Sequence, residues 1–306
     1  MEFVDDDEIP LSLLHFFFWF SVTLVIFTLF FSFLVYGKIL YKREYRNRFV
    51  YRLIVFNGIT NYLQFVFYII SIHLGIFPTL KSIIIYLTEN NWTTRFLFFF
   101  MVSISAQSHS NLTISFNRLF SLTHQFSLKS YERTFYWISL ISSIFIPLFV
   151  SFPILYCDYH YVERRMIKSG GSIFRTHMST NYIGPLPVCI YTLITNILAI
   201  LSNVAMIFFL WKENKRKKEK NMINKDITRV ENGLVVSTAL NGIIHIVLYA
   251  VAFMSASLNW IGAGASLILF IALSSILPFW LLISLVPSLR REFYCLHFPI
   301  GMNPSI

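Results

Sequence analysis

Seven stretches of the 306-residue chain, at 11–36, 49–70, 95–116, 135–156, 186–211, 234–256 and 265–286, are each long and apolar enough to be read as membrane spans. A spanning helix needs about 20 mostly apolar residues. In lipid a segment must satisfy its own backbone N–H and C=O groups, so only helices and closed barrels cross. The stretches are too long for barrel strands and lack a period-2 alternation. The expected fold is therefore an all-α membrane protein, a single seven-transmembrane helix bundle over residues 1–306. Composition agrees: 56% of residues are hydrophobic and 13% charged, the latter about half the share of an ordinary soluble domain, which excludes a soluble globule.

Orientation follows from charge. Asp5, Asp6, Asp7 and Glu8 precede the first stretch, and Lys38, Lys42 and Arg43 follow it. This is the reverse of a cleaved secretory signal, so the stretch reads as an uncleaved first helix with its amino end outside. Lys and Arg collect on the cytoplasmic side of short loops. Residues 37–52 hold six, 117–134 three, 212–233 eight and the tail after 286 two, making 19 against six in the opposite set. That split places the amino end outside and the carboxyl end in the cytosol. It also accounts for the net charge of +10, which is then no sign of nucleic-acid binding.

Three cysteines exclude a disulfide framework or a Cys-rich metal site. Cys157 and Cys189 both fall near the outer face, an oxidising setting, where a bridge and two buried thiols are both open readings. Beyond Pro287, apolar residues at 289, 293, 296 and 298 beside Arg290 and Arg291 suit an amphipathic helix on the inner surface, at about 288–298. Cys295 on it is either an acylation site or an unmodified interfacial thiol. The segment 76–87 is apolar but broken by Pro78 and Lys81, and reads as an interfacial lid. Asn91-Trp92-Thr93 is an outer-side glycosylation sequon, whereas Asn111-Leu112-Thr113 falls inside a span.

No enzymatic constellation is found. A nucleophile elbow, a His-Glu-x-x-His zinc motif, a phosphate-cradling Gly loop and intramembrane carboxylate pairs are all absent. The spans hold no acid for general acid-base work, and no cofactor or metal is expected. The third span is instead rich in neutral polar groups: Ser103, Ser105, Gln107, Ser108, His109, Ser110, Asn111, Thr113 and Ser115. In lipid these must face protein or water. Helical spacing sets Phe100, Ile104, Gln107 or Ser108, Asn111, Ser115 and Arg118 on one face. Polar pairs one turn apart recur at Asn57, Asn61 and Gln64, at Thr192, Asn196 and Asn203, and at Asn241 and His245. The candidate ligand pocket is Phe100, Ser103, Ile104, Gln107, Thr192, His245 and Tyr249. The alternative is that these groups only bond each other, at roughly 0.6 kcal/mol per contact. Arg118, at the inner end of the third span, is equally a switch residue or a snorkelling anchor. The Phe-rich first span, with Phe16, Phe17, Phe18, Phe27, Phe30, Phe31 and Phe33 all round it, reads as lipid-facing.

The seven spans, the outside amino end, Ser115-Phe116-Asn117-Arg118-Leu119 and the tail Val286-Pro287-Ser288-Leu289-Arg290-Arg291-Glu292-Phe293 together resemble a nematode serpentine chemoreceptor, most closely serpentine receptor class gamma. The resemblance implies a G-protein-coupled receptor for a small environmental molecule, in the plasma membrane of chemosensory neurons, with a heterotrimeric G protein as partner. It also implies that Asn117 and Arg118 stand where rhodopsin-like receptors carry Asp-Arg-Tyr, and that the inner loop with Lys215, Arg216, Lys217 and Lys218 helps engage the G protein. Asn117 replaces the acid of that triplet. The cysteine usual in the third helix is missing, and Leu277-Pro278-Phe279-Trp280 replaces Asn-Pro-x-x-Tyr. The alternatives are a seven-helix ligand-gated channel subunit or a transporter. The channel family has its amino end inside, against the charge split, and no internal repeat supports a transporter.

Overall fold

Helices are expected wherever an apolar stretch must satisfy its own backbone, and the computed structural model of the chain is mostly helical. It describes residues 3–4, 11–43, 49–123, 128–166, 172–178, 184–219, 233, 235–247, 262–286, 289–291 and 293. The long helices are α1 (Leu11–Tyr41), α2 (Phe49–Tyr68), α4 (Trp92–Thr123), α5 (Leu128–Ser151), α6 (Leu186–Glu219) and α8 (Gly262–Leu285). Two shorter ones are α3 (Lys81–Glu89) and α7 (Val235–Val247). Helix α2 runs on through a π-helical turn, Ile69–His73, before 3-10 turns lead into α3.

Five helical stretches, His15–Tyr41, Val50–His73, Thr134–Tyr156, Leu186–Lys212 and Ile268–Leu285, are long and apolar enough to cross a membrane. The two other windows differ for different reasons. Window 95–116 lies in α4, which has 32 residues but too many hydroxyls and amides to reach the same apolarity. Window 234–256 is described only as the shorter α7, its remainder lying outside the described residues.

The all-α expectation misses a small sheet. Strand β2 (Tyr159–Met166) pairs antiparallel with β3 (Ser172–Met178), and β1 (Phe3–Val4) joins β2 in parallel, giving the order β1-β2-β3. Two-residue pairing such as Phe3 with Arg165 is too short to leave a period in the sequence.

Side chains are distributed inside out relative to a soluble protein. On α1, Phe16, Trp19, Ile26, Phe27, Phe30 and Phe33 are exposed, while Ser21, Thr28 and Ser32 are fully buried. Such a surface suits lipid, and the small polar groups between helices allow close approach. Phe18 corrects the expectation of an all-round lipid face. It is buried, and together with His15 and Trp19 it surrounds Phe77 at ring-centroid distances of 4.8–6.0 Å. Helix α4 is the central element, packed along α2, α5 and α6, while α1 packs on α8 and α8 on α2. Trp280 of α8 donates from Nε1 to Thr28 Oγ1 of α1 at 3.1 Å. Beyond α8, residues 289–291 and 293 are helical, with Leu289 fully buried, Arg291 exposed and the Phe293 ring 5.5 Å from Phe31.

Candidate functional site

The middle of α4 is a row of short polar side chains with almost no exposed surface: Ser105, Gln107, Ser108, Ser110, Asn111 and Ser115 are each buried to within 1%. Burying such groups costs stability unless each finds a partner, and two neighbouring helices supply several of them. From α2, Asn57 Nδ2 donates to Asn111 Oδ1 at 2.9 Å and Asn57 Oδ1 accepts from Ser110 Oγ at 2.8 Å. From α6, Asn196 Nδ2 donates to Ser108 Oγ and Asn203 Nδ2 to Ser115 Oγ, both at 3.1 Å. The seven-residue step from 196 to 203 equals that from 108 to 115, because one face recurs every two turns. Helix α7 joins through Thr238 Oγ1, which donates to Asn203 Oδ1 at 3.0 Å. On the outer flank of α4, His109 bonds the Tyr191 hydroxyl through Nδ1 and Ser142 Oγ through Nε2 at 2.9 Å. His109 also edges an apolar groove of about 580 Å³ between α4 and α5, lined by Leu112, Phe116, Phe120, Phe135 and Ile138. That groove opens outward and suits lipid chains.

The row is not fully satisfied. Both amide atoms of Gln64 and of Gln107 have no protein partner, nor do Asn61 Oδ1, Asn111 Nδ2, Asn196 Oδ1 and Asn241 Oδ1. His245 Nδ1 lies 2.7 Å from the Asn241 carbonyl and must donate to it, which leaves Nε2 an acceptor, also without a partner. Buried polar atoms in native proteins are nearly always bonded to protein, water or ligand. Each exception calls for a partner outside the side chains described, water among them. By register from the Asn57–Asn111 and Thr238–Asn203 bonds, Gln107 lies opposite Asn61 along the α2–α4 pairing, and His245 at the level of Asn196.

A family model for Srg family chemoreceptors matches residues 16–293. The chain belongs to the Srg family of chemoreceptors. A comparison with curated proteins gives no match. In this Srg-family chain the hairpin packs against the amino-terminal end of α4 and the π-helical turn after α2. The Tyr161 hydroxyl of β2 donates to the Ile70 carbonyl in the π-helical turn at 2.8 Å, and burial pushes its phenol pKa well up. Thr94 Oγ1 reaches the Tyr159 carbonyl at 3.1 Å, and Ile84 of α3 packs on Tyr161. Segment 76–87 thus lies beneath the hairpin.

Of the sequence candidates in this Srg-family chain, Phe100 is buried with its ring 5.3 Å from Tyr68, and Ile104 and Gln107 are buried in the same row. Ser103 and Thr192 spend their hydroxyl protons on their own helices, on the Phe99 carbonyl at 2.8 Å and the Val188 carbonyl at 2.7 Å. Tyr249 and Cys295 lie outside the described residues. Lys215, Arg216, Lys217 and Lys218 belong to the last turns of α6. Asn117 is buried and Arg118 half-buried near the carboxyl-terminal end of α4. Asn91 is exposed, in a left-handed turn at φ 56° between α3 and α4, a conformation Asn tolerates. Of the two open readings for Cys157 and Cys189, the structure has both as thiols, of which only Cys157 is buried. Cys157 Sγ points at the Pro153 carbonyl and against Gly184, whereas the Cys189 side chain is exposed. Gln64 and Asn196, which are not among the sequence candidates, also carry unmet amide atoms; their one-turn spacing marks an inward face but does not reveal which of them lack partners.

Proposed function

We propose that this chain is a seven-helix, G-protein-coupled chemosensory receptor whose ligand binds within the helix bundle. Its amino end is outside and its carboxyl end in the cytosol, as the split of basic residues supports. The observation that carries the reading is the set of buried, unmet donors and acceptors around Gln64, Gln107 and His245. A molecule that supplies the missing hydrogen bonds is bound the more selectively because each unmet group costs about 1–3 kcal/mol without it. Between Phe100 and Ser115 the row offers amides, hydroxyls and an imidazole, with no charged side chain, so it suits an uncharged, hydrogen-bonding small molecule. The G protein engages the inner ends of α4 and α6, with Arg118 as the switch and Lys215, Arg216, Lys217 and Lys218 as part of the contact. The receptor acts in the plasma membrane of chemosensory neurons.

The test is a screen of small neutral organic molecules on cells expressing the chain, read by cyclic-nucleotide or calcium response. Nucleotide exchange on a purified G protein then isolates the coupling step. The expected result is a response that Gln107→Leu abolishes at unchanged surface density. A dose-response that Gln107→Leu leaves intact would remove the ligand from this row.

A further inference from the structure

Beside Gln107 and one turn along α4 from it, the residues that carry three of the unmet amide atoms line a void. Asn61 Oδ1 on α2, Asn111 Nδ2 on α4 and Asn241 Oδ1 on α7 have no protein partner, and all three residues line a cavity of about 30 Å³. Each is at least 98% buried. Pro278 of α8 also lines it, and a proline has no N–H to give the carbonyl one turn earlier. We propose that this cavity is a built hydration site, holding one or two ordered waters that join α7 to the α2–α4 pair.

Volume supports the assignment, since a single water needs about 10–15 Å³ of such space and two or more polar partners. Chemistry narrows the occupant further. The lining offers both a donor and acceptors, which water satisfies at once. A cation would repel the Asn111 N–H, and no carboxylate lines the cavity to balance its charge. The site is separate from the proposed ligand groups Gln64 and Gln107 and does not rest on them. Its consequence is mechanical: Asn241 lies one turn from His245, and α7 is tied here to its neighbours through exchangeable solvent. A helix held by water can be re-bonded in a second position with little penalty, because the waters move with it.

X-ray radiolytic labelling of the full chain in nanodiscs, in ¹⁸O-water, tests this. Tyr36 lines the cavity and is buried, as is Tyr68, which does not line it. Oxidation of Tyr36 should exceed that of Tyr68, carry the ¹⁸O label, and be lost in Asn61→Leu or, should that variant not fold, in Asn241→Leu. Equal labelling of the two tyrosines, or Tyr36 labelling unchanged in the folded variant, would show a dry void and overturn the proposal. A Tm raised by sodium chloride but not choline chloride, in wild type and not in the variant, would also overturn it, in favour of a cation.

Discussion

Gly58 sits where α2 meets the Tyr36 side chain of α1, and a Cβ added there would collide with the Tyr36 hydroxyl and ring. Because the neighbour is a ring and not a flexible chain end, Gly58→Ala is expected to cost about 1–3 kcal/mol, the range for overpacking a filled core, seen as a lower Tm of the purified protein. Gly58 is invisible as a constraint in the sequence, since a helical glycine reads only as a weak helix former. The stripe Asn57, Asn61 and Gln64 was legible as an inward face, by contrast, but its chemistry was not: Asn57 bonds two partners while both Gln64 amide atoms have no protein partner. Spacing gives direction; only packing gives partners. At Arg118, a switch requires different partners in two helix arrangements. Arg118→Ala should then abolish ligand-driven nucleotide exchange with surface density and ligand binding retained, and Arg118→Lys should restore it only in part. A normal dose-response from the Ala variant would leave Arg118 an anchor to phosphate.

Helix α4 explains why elements were legible to different degrees. The strongly apolar helices, α1 and α8 among them, follow from length and hydropathy alone, whereas α4 is recognisable as a span only if its polar groups are granted partners on other helices. The hairpin was missed because Tyr159–Met166 mixes aromatic and charged residues with no clean alternation. The α4–α6 seam is testable by a double-mutant cycle on Ser115→Ala and Asn203→Ala, with stability read in detergent or nanodiscs. The coupling should be about 0.6 kcal/mol and at most about 1.7, the range for hydrogen bonds between membrane helices. A coupling near zero would mean that Thr238, which also donates to Asn203, is the partner that matters.

At the scale of the whole molecule, the split of basic residues predicts an amino-terminal tag stainable on unpermeabilised cells and a carboxyl-terminal tag stainable only after permeabilisation. Reversed staining would remove the receptor reading and favour a channel subunit. The central row carries one further implication. Its described contacts are made by neutral amides, hydroxyls and imidazoles, so no group in it needs a counter-ion kept elsewhere in the chain. Under the proposed ligand assignment, exchange of one hydroxyl for an amide there changes what is recognised without stranding a charge in lipid. A lineage of such proteins can therefore explore new chemical specificities one substitution at a time, each intermediate still folding, which an interior built on paired charges would not allow.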